Sequence, residues 1–376
     1  GSEMCIRDRM IGEVWVCSGQ SNMEMPLRGF WHCPIEGGNH AIATSGKYKN
    51  SIRYATIQRV GALEPKDYPV GGEWKVCDPR NAPEFGATAY FFATLLTEVL
   101  NVPVGIINCS WGGSTVEGWL PKDILRNYSD IDLSLAGNDE KIHPMLQPMI
   151  MYNGMLKPAS KYTVRGFLWY QGESNAHNHI IHEKLFQLLV NSWRNNWRND
   201  SLPFYYVQLS SIDRPSWTWF RESQRKLMNK VKATGMVVSS DQGDSLDVHP
   251  KNKKPIGTRL GRWALNKIYQ KPVTPSGPLF RNVQFHNGAA YLTFDYGKGL
   301  HSSDGTPLRT FEIAEYNGLF EPAKVEIVGD TLKVFSTKIK NPRYVRYGWQ
   351  PFTRANLVNE EELPASTFQT SINTQH

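Results

Sequence analysis

Apolar runs of strand length alternate with segments of helical period over residues 11–272 of the chain. Parallel strands need a crossover connection, usually a helix, so this alternation predicts an α/β fold whose parallel sheet is covered by helices on both faces. The helical segments place apolar residues at the spacing that one buried helix face requires. The predicted strands are 14–17, 52–58, 104–109, 164–170, 204–209 and 235–239, and the predicted helices are 87–100, 181–197 and 256–268.

The pattern changes after Pro272. Short alternating runs follow, separated by the turn-forming pairs Asn287-Gly288, Asn317-Gly318 and Gly329-Asp330, and they predict a β-sandwich-like module. We therefore expect a first domain over residues 11–272 and a β-rich module over 273–376. We expect residues 1–10 to be a tag or assembly remnant outside the fold.

Charge and cysteine content exclude several function classes. The chain has 42 Lys and Arg against 35 Asp and Glu, scattered apart from Lys251-Asn252-Lys253-Lys254, so no nucleic-acid partner is predicted. No window reaches the roughly 18 uninterrupted apolar residues of a membrane span. The five cysteines lack metal-ligand spacing, so no metal site is predicted. Cys17 and Cys109 are predicted to be buried thiols, while pairing of Cys33 with Cys77 stays open.

Ser21 is the predicted nucleophile. It stands directly after the first apolar run, in Gly19-Gln20-Ser21-Asn22. A serine at the carboxyl end of a strand is presented at the sheet edge, where N–H groups of the turn and the next helix can face a carbonyl oxygen. Most serines in this position only cap a helix, so the prediction depends on partners elsewhere in the chain. Asn22 adds a polar donor beside the hydroxyl.

His249 is the predicted base, because it lies between the last predicted strand and the last predicted helix, at the same edge as Ser21. Asp241, Asp244 and Asp247 are all close enough in sequence to orient its imidazole. Asp247 is the first choice because it is nearest, and a Ser-His dyad stays open. Since only neutral histidine acts as a base, activity should rise with pH through about 6 to 7.

Two glycine-containing turns follow predicted strands at this edge, Trp111-Gly112-Gly113-Ser114 and Gln171-Gly172-Glu173-Ser174-Asn175. The Gly113 backbone N–H and the Gln171 amide, together with Ser21, can supply hydrogen-bond donors to an oxyanion. The predicted substrate-binding residues are Asn22, Trp111, Glu173 and Asn175. Tryptophan faces stack on apolar sugar surfaces, and the candidates for such stacking are Trp31, Trp111, Trp217 and Trp219.

Together these motifs resemble the sialate O-acetylesterase-like branch of the SGNH (GDSL-like) hydrolases, whose members remove acetyl groups from carbohydrates. The similarity runs from about Gly12 to Thr370, and it is carried by residues 12–25, 104–107, 169–175, 249–253, 311–314, 345–349 and 355–357. The resemblance implies a flavodoxin-like three-layer α/β/α domain without metal or organic cofactor. It also implies Ser21 as nucleophile, His249 as base, Gly113 and Gln171 near the oxyanion, and export to the periplasm or exterior.

The chain departs from the family pattern in two places. Family members usually carry a β-rich region ahead of the segment that begins at Gly12, so we expect the sequence to be a piece of a longer protein. An aspartate is expected three residues before the histidine, and Leu246 stands there instead. This second departure leaves Asp247, Asp244 or a dyad as the means of orienting His249.

The expected function is hydrolysis of O-acetyl esters of carbohydrates through an acetyl-enzyme intermediate. Acetylated hemicellulose such as xylan and O-acetylated sialic acid both suit the resemblance. Two alternatives come from other classes. One is a non-catalytic carbohydrate-binding protein of the same fold, and the other is a glycoside hydrolase that uses Glu173 and an aspartate such as Asp241 as its carboxylate pair.

Overall fold

The computed structural model describes residues 10–370. The expected remnant at residues 1–10 therefore lies, except for Met10, outside the described residues. The strands of the first part of the chain are β1 (Glu13–Gly19), β2 (Ile52–Thr56), β3 (Lys75–Val76), β4 (Val104–Ser110), β5 (Gly166–Tyr170), β6 (Phe204–Val207) and β7 (Thr234–Val237).

These strands form one sheet in the order β3-β2-β4-β1-β5-β6-β7. The short edge strand β3 runs antiparallel to β2, and the other pairs are parallel. The order β4-β1-β5-β6-β7 is that of a flavodoxin-like sheet, to which β2 and β3 are added beyond β4. Because the strand order reverses at β1, the crevice outside the carboxyl ends of β1 and its neighbours is where such folds bind ligands.

The helices are α1 (Ser21–Glu24), α2 (Gly38–Thr44), α3 (Ala87–Leu100), α4 (Lys122–Leu125), α5 (Lys157–Ala159), α6 (His179–Asn196), α7 (Trp217–Lys230) and α8 (Lys254–Lys267). Short 3₁₀ turns cover Ser45–Tyr48, Ala82–Glu84, Val116–Trp119, Leu133–Leu135, Pro144–Leu146, Glu173–Asn175 and Ser240–Gln242, and a π-helical turn covers Tyr152–Leu156.

Helices cover both faces of the sheet. On β6, the Tyr205 ring stacks on Trp263 of α8, while the next residue, Tyr206, contacts Phe186 of α6. Neighbouring residues of a strand point to opposite faces, so α8 and α6 lie on opposite sides. Helix α3 packs with α8, and α7 packs with α6, which completes the two outer layers. The predicted α/β/α arrangement is confirmed.

The carboxyl-terminal part consists of antiparallel strands, as predicted. They are β8 (Leu279–His286), β9 (Ala289–Asp295), β10 (His301–Ser302), β11 (Phe311–Ala314), β12 (Glu321–Pro322), β13 (Lys324–Val328), β14 (Thr331–Phe335), β15 (Tyr344–Tyr347), β16 (Leu357–Val358) and β17 (Phe368–Gln369). Two four-stranded sheets have the orders β13-β14-β9-β8 and β12-β11-β15-β17, and β10 pairs with β16. Asn287 and Gly288 both have positive φ, which is the geometry of a tight hairpin turn between β8 and β9.

The apolar interior contains two main clusters. The larger one surrounds the central sheet and includes Leu279 as its last residue, and the second, from Val283 to Phe368, lies between the carboxyl-terminal sheets. Leu292 and Val334 from one sheet and Ile313 and Val345 from the other are fully buried there. The domain limits near residue 272 stay a prediction.

Helix α7 is a long helix that the sequence patterns do not predict. Its first residue, Trp217, is only 2% exposed and packs with Leu209 and Phe220 in a small separate cluster. Trp217 is therefore not accessible to a sugar ring. On the same helix, the guanidinium of Arg221 is fully buried and donates to the carbonyl oxygens of Gly348, Gln350 and Pro351, so α7 is tied to the loop that follows β15.

Candidate active site

The end of β1 presents Ser21 at the carboxyl edge of the sheet. Gly19 has a φ of +133°, and a Cβ there would lie 2.1 Å from the carbonyl oxygen of Tyr170 on β5, so only glycine fits. The Gln20 N–H then donates to that same carbonyl at 3.0 Å. The chain enters α1 at Ser21, whose side chain is partly exposed. This local geometry directs the Ser21 hydroxyl into the crevice beside β5.

His249 lies directly beside this hydroxyl. Its Nε2 is 3.0 Å from Ser21 Oγ, and its Nδ1 is 3.2 Å from Asp247 Oδ1. The same carboxylate oxygen accepts the backbone N–H of His249 at 2.9 Å. A loop that bends back on itself in this way lets an aspartate two residues before a histidine contact its ring. When Nδ1–H donates to Asp247, Nε2 is the acceptor that faces the serine.

The other two aspartates considered as orienting groups have different partners. Asp244 Oδ1 accepts the backbone N–H groups of Leu246 and Asp247, and so closes the turn ahead of the histidine. Asp241 forms a two-pronged pair with Arg259, with both oxygens 2.7 Å from guanidinium nitrogens. The side chain of Leu246, at the position where the family has an aspartate, is in solvent.

Burial and charge set the protonation of the histidine and the aspartate. Burial, and next the Lys253 ammonium, lower the pKa of His249 below its ordinary value, against the opposing effect of Asp247. Partial burial pushes the pKa of Asp247 up, but the hydrogen bonds from the His249 backbone, Cys33 and the imidazole outweigh it and hold this pKa below its usual range. A neutral imidazole beside an ionised carboxylate is the state that general base catalysis requires.

Cys33 belongs to this site and not to a disulfide. Its thiol lies 3.4 Å from Asp247 Oδ2 and is placed to donate to it, whereas the Cys77 thiol faces the carbonyl oxygen of Ser45 at 3.6 Å. Both are free thiols. Burial, and next the Asp247 carboxylate, raise the pKa of Cys33, which favours the protonated donor. Cys17 and Cys109 are buried thiols, as expected.

The backbone N–H groups of Ser21 and Gly113 are available for an oxyanion. Within residues 10–370, the amides of Ser21 and Gly113 donate to no protein acceptor. Gly113 has a φ of +78°, a left-handed conformation that glycine adopts readily. The N–H of Gly112 is already taken, because it donates to Glu24 Oε2 at 2.8 Å. Glu24 is in turn held by Arg59, whose Nε lies 2.7 Å from Oε1.

Gln171 is fully buried behind this turn. Its amide nitrogen donates to the Ser114 carbonyl at 3.1 Å and to Asn175 Oδ1 at 2.6 Å, so both of its N–H groups are engaged in this structure. Asn175 is also buried and links the backbone of Val116 to the side chain of Glu117. Gln171 and Asn175 thus join the two glycine-containing turns, and their predicted contacts with oxyanion and substrate stay predictions.

Asn22 and Glu173 form a second buried connection with Lys253. The Asn22 amide nitrogen donates to Glu173 Oε1 and, at 3.0 Å, to the Val248 carbonyl, while its oxygen accepts from Lys253 Nζ. Asn22 and Lys253 are fully buried. Burial raises the pKa of Glu173 and lowers that of Lys253 to about 7. These two predicted substrate-binding residues therefore lie behind the nucleophile, where their polar atoms face each other.

Trp111 lines a cavity of about 330 Å³ next to the Gly112-Gly113 turn. The other walls come from the segments around Leu63, Gly137, Pro144 and Ile150, and Asp139 contributes a carboxylate. Of the other tryptophans considered for stacking on sugars, Trp31 is 87% exposed and Trp219 is 49% exposed. Among the four tryptophans considered, Trp111 is the one that lines this cavity, and it directly precedes the Gly112-Gly113 turn.

Sequence reasoning missed three residues with specific roles in this geometry, namely Glu24, Cys33 and Lys253. In the sequence, Lys253 stands out as part of a basic run and of the family segment 249–253 but without a role of its own, and Cys33 stands out only as a possible disulfide partner. Glu24 follows Ser21 by one helical turn, which was a usable signal, because residues three apart on a helix share a face. No pattern in the sequence indicates that Cys33 would meet Asp247.

The described residues contain no group of three or more His, Cys, Asp or Glu side chains that could hold a metal ion. Within the same residues, no helix is long and apolar enough to cross a membrane.

Comparison with known proteins gives relatives of one kind. Residues 11–266 match the family described as carbohydrate esterase, sialic acid-specific acetylesterase. The chain is 25% identical over 370 residues to the sialate O-acetylesterase of Mus musculus, covering 82% of this chain and 66% of that protein. It is 26% identical over 321 residues to the sialate O-acetylesterase of Homo sapiens, covering 77% of this chain and 60% of that protein. The chain therefore spans two thirds or less of these two relatives.

Among solved structures, a carbohydrate acetylesterase from Xanthomonas citri is similar over almost the whole chain. It is 34% identical and superposes with a TM-score of 0.84, covering 96% of this chain and 81% of that protein. The family match extends over the whole central sheet and includes Ser21, Gly113, Gln171 and His249. The chain belongs to the carbohydrate esterase family of sialic acid-specific acetylesterases.

Proposed function

We propose that this protein is a serine esterase that removes O-acetyl groups from carbohydrates. The observation that carries the proposal is the continuous contact from Asp247 through His249 to Ser21, with distances of 3.2 and 3.0 Å. Two unpartnered backbone N–H groups, those of Ser21 and Gly113, flank it within the described residues. A nucleophile, a base with its orienting acid, and oxyanion donors are the parts that acyl transfer requires.

In the proposed reaction, Ser21 Oγ attacks the acetyl carbonyl carbon while His249 Nε2 takes the hydroxyl proton. The carbonyl oxygen becomes an oxyanion facing the Ser21 and Gly113 N–H groups. The bond to the sugar oxygen then breaks, and His249 returns the proton to that oxygen, which leaves as a hydroxyl. Water, deprotonated by His249, attacks the acetyl-enzyme and releases acetate, with the proton returning to Ser21.

Replacement of the nucleophile tests this proposal. We expect Ser21→Ala to lose acetate release from an aryl acetate while keeping the melting temperature of the wild type, because Ser21 is partly exposed and its loss leaves no cavity. The same samples are assayed for reducing sugar on an acetylated polysaccharide. Turnover retained by Ser21→Ala, or release of reducing sugar by both proteins, would remove the esterase assignment.

The glycoside hydrolase alternative is less well supported by the site. The Glu173 carboxylate is buried against Asn22, and Asp241 is paired with Arg259, so neither carboxylate is free to face a glycosidic bond. A carbohydrate-binding protein without turnover would bind acetylated polysaccharide but release no acetate. The assay above distinguishes both alternatives from the esterase.

For the substrate, we propose a neutral acetylated polysaccharide in preference to sialic acid. The cavity beside the Gly112-Gly113 turn offers the half-buried face of Trp111, and the charged residue among its described lining is Asp139. An anionic sugar would be repelled by that carboxylate, whereas hydroxyl groups can donate to it. Faster acetate release from acetylxylan than from 9-O-acetyl sialic acid supports this choice, and the reverse order favours the sialate activity by which the mammalian relatives are named.

Export to the periplasm or exterior stays a prediction from the family resemblance. Fractionation of cells that produce the natural protein is the measurement that decides it.

A further inference from the structure

A fully buried lysine stands behind the proposed nucleophile, and the reaction mechanism does not use it. Lys253 precedes α8, and its Nζ donates to Asn22 Oδ1 in α1. It also lies 5.3 Å from the centre of the Tyr170 ring. Lysine is almost never fully buried without a partner, because desolvation of its charge is costly. In this structure, the side-chain amide of Asn22 lies between Lys253 and the group of opposite charge.

The counter-charge is Glu173, on the far side of the Asn22 amide. The Asn22 nitrogen donates to Glu173 Oε1, and the other carboxylate oxygen, Oε2, is buried without a protein partner within the described residues. The Lys253 ammonium, the Asn22 amide and the Glu173 carboxylate therefore form one hydrogen-bonded chain. Asn22 lies just after β1, Glu173 lies just after β5, and Lys253 precedes α8. With Lys253 as donor and Glu173 as acceptor, only one orientation of the amide satisfies both.

That orientation also holds the histidine loop. The Asn22 nitrogen has a second hydrogen, which is donated to the carbonyl of Val248 at 3.0 Å. Val248 immediately precedes His249, whose Nε2 contacts the Ser21 hydroxyl next to Asn22 in the chain. If the amide turned over, its oxygen would face the Val248 carbonyl and the Glu173 carboxylate, and both contacts would become repulsive.

We propose that Lys253 is a positioning residue for the esterase site: its buried ammonium, bridged to Glu173 through the Asn22 amide, fixes the amide that holds the His249 loop against the nucleophile helix. This inference rests on the proposed function. Lys253 acts on the reaction through Asn22 and the loop, and also through the field of its charge at the imidazole.

The effect of the Lys253 charge on the pKa of His249 has a direction that can be measured. The groups that face His249 are Asp247 from its own loop, Ser21 from α1, Lys253 from the start of α8, and the Phe30 ring, with Cys33 bonded to Asp247. Of these, Lys253 is the cation, and it disfavours the imidazolium. The pKa of Lys253 is lowered to about 7, so it stays protonated over the acidic range in which His249 titrates below its ordinary value.

The test is the pH dependence of kcat/KM for Lys253→Met, which has a similar length but neither charge nor donor. We expect kcat to fall about tenfold or more at neutral pH with KM changed less than about threefold, since the amide loses the donor that orients it. We also expect the acidic limb to move to higher pH, because the imidazolium no longer faces a cation. Lys251→Met, exposed in the same loop, is the matched control and should match the wild type.

A second variant removes the risk that an unpaired Glu173 prevents folding. Lys253→Met combined with Glu173→Gln deletes both buried charges and keeps an oxygen that accepts from Asn22. This double variant should melt close to the wild type and still show the displaced acidic limb. An acidic limb at the wild-type position in the double variant, or in a folded Lys253→Met protein, overturns the proposal.

The assay separates this inference from the proposed function. Wild-type protein that releases no acetate, or Ser21→Ala protein that does, removes the function itself. Wild-type protein that is active while both Lys253 variants keep its kcat and acidic limb removes only the role of Lys253.

Discussion

The His249 imidazole, about a quarter exposed, is enclosed by Asp247, Ser21 and the Phe30 ring. Burial and the nearby Lys253 charge lower its pKa below the ordinary value near 6.5. The neutral ring is the proposed base, so we expect activity above this pKa and its loss as the pH falls through it. We expect the acidic limb of kcat/KM to lie below about 6.5, lower than the sequence alone suggested. A limb above that value would contradict this electrostatic description.

A single carboxylate orients the histidine in this structure. Asp247→Asn keeps the shape of the side chain but lets an amide face Nδ1, which favours the wrong tautomer or ring orientation. We expect kcat to fall at least about a hundredfold, a conservative share of the effect of the same change in serine proteases. Steady-state kinetics on an aryl acetate measure this change.

Asp244→Asn is the matched control for that experiment, because Asp244 bonds only backbone N–H groups of the turn. It should retain activity within a few-fold of the wild type. Near-normal turnover of Asp247→Asn together with an inactive His249→Ala would replace the triad by a Ser-His dyad.

The sequence predicts the position of some residues in the site and not the contacts of others. Ser21 and His249 could be placed at one sheet edge because each follows a predicted strand, and the carboxyl ends of parallel strands meet. From the sequence, Asp247 could be only one of three aspartates able to contact His249, since the contact depends on a bend of the loop. The contact of Cys33 with Asp247 joins positions far apart in sequence, and no local pattern encodes it. The catalytic role of all of them stays a prediction.

The Trp111-Gly112-Gly113-Ser114 turn is held in place by α1, the helix that begins at Ser21. Glu24, in the last position of α1, accepts the Gly112 N–H at 2.8 Å and is itself paired with Arg59. Gly113 follows Gly112 directly, and its N–H donates to no protein acceptor within the described residues. The helix that carries Ser21 therefore also holds the turn that contains the proposed oxyanion donor, the Gly113 N–H.

Removing this support should weaken the reaction more than substrate binding. We expect Glu24→Ala to lower kcat about tenfold, a part of the effect of deleting one oxyanion donor, with little change in KM. Glu24→Gln keeps an oxygen acceptor for Gly112 and should recover most of the loss. The measurement is kcat and KM on an aryl acetate for both variants, and equal kcat values for Glu24→Ala and the wild type would exclude the role.

Most elements could be predicted because their apolar patterns are regular. The helix predicted over 87–100 is α3, and the remaining boundaries differ by a few residues because Pro and turn residues mark them only loosely. Helix α7 was missed because buried polar side chains, including Arg221, Glu222 and Gln224, interrupt its apolar stripe. Arg221 and Gln224 are buried against backbone groups that they bond, and Glu222 is buried in an ion pair with Arg225, contacts that sequence periodicity does not reveal.

At the scale of the whole molecule, α7 joins the central domain to the carboxyl-terminal sheets through Arg221. Its guanidinium donates to three carbonyl oxygens of the loop 348–351, at 3.1, 2.6 and 2.9 Å. Burial lowers its pKa to about 9, which still leaves it charged at neutral pH. Gln208 adds a hydrogen bond to Ser366, and Arg262 pairs with Glu361. The two parts of the molecule are thus connected by the buried contacts of Arg221 and Gln208 and by the more exposed pair of Arg262 with Glu361.

This connection gives a stability prediction. Arg221→Ala removes a buried donor from three carbonyl oxygens, and within the described residues that of Gln350 has no other protein donor, so we expect the free energy of unfolding to fall by about 2 kcal/mol or more. Lys226→Ala, half-exposed on the same helix, should change it by less than about 0.5 kcal/mol. Urea unfolding of the three proteins measures both values. An Arg221→Ala protein as stable as the wild type would show that the loop contacts contribute nothing.

Covalent labelling tests the assignment of Ser21 as the nucleophile most directly. An aryl phosphonate ester reacts with an activated serine, whose oxygen bonds to phosphorus as the aryl alcohol leaves. We predict one phosphonyl group per chain, found by mass spectrometry on the peptide that contains Ser21, appearing in parallel with the loss of acetate release and absent in His249→Ala. A label on another residue that tracks the loss of activity, or turnover that persists with Ser21 fully labelled, would contradict the assignment of Ser21 as the activated nucleophile.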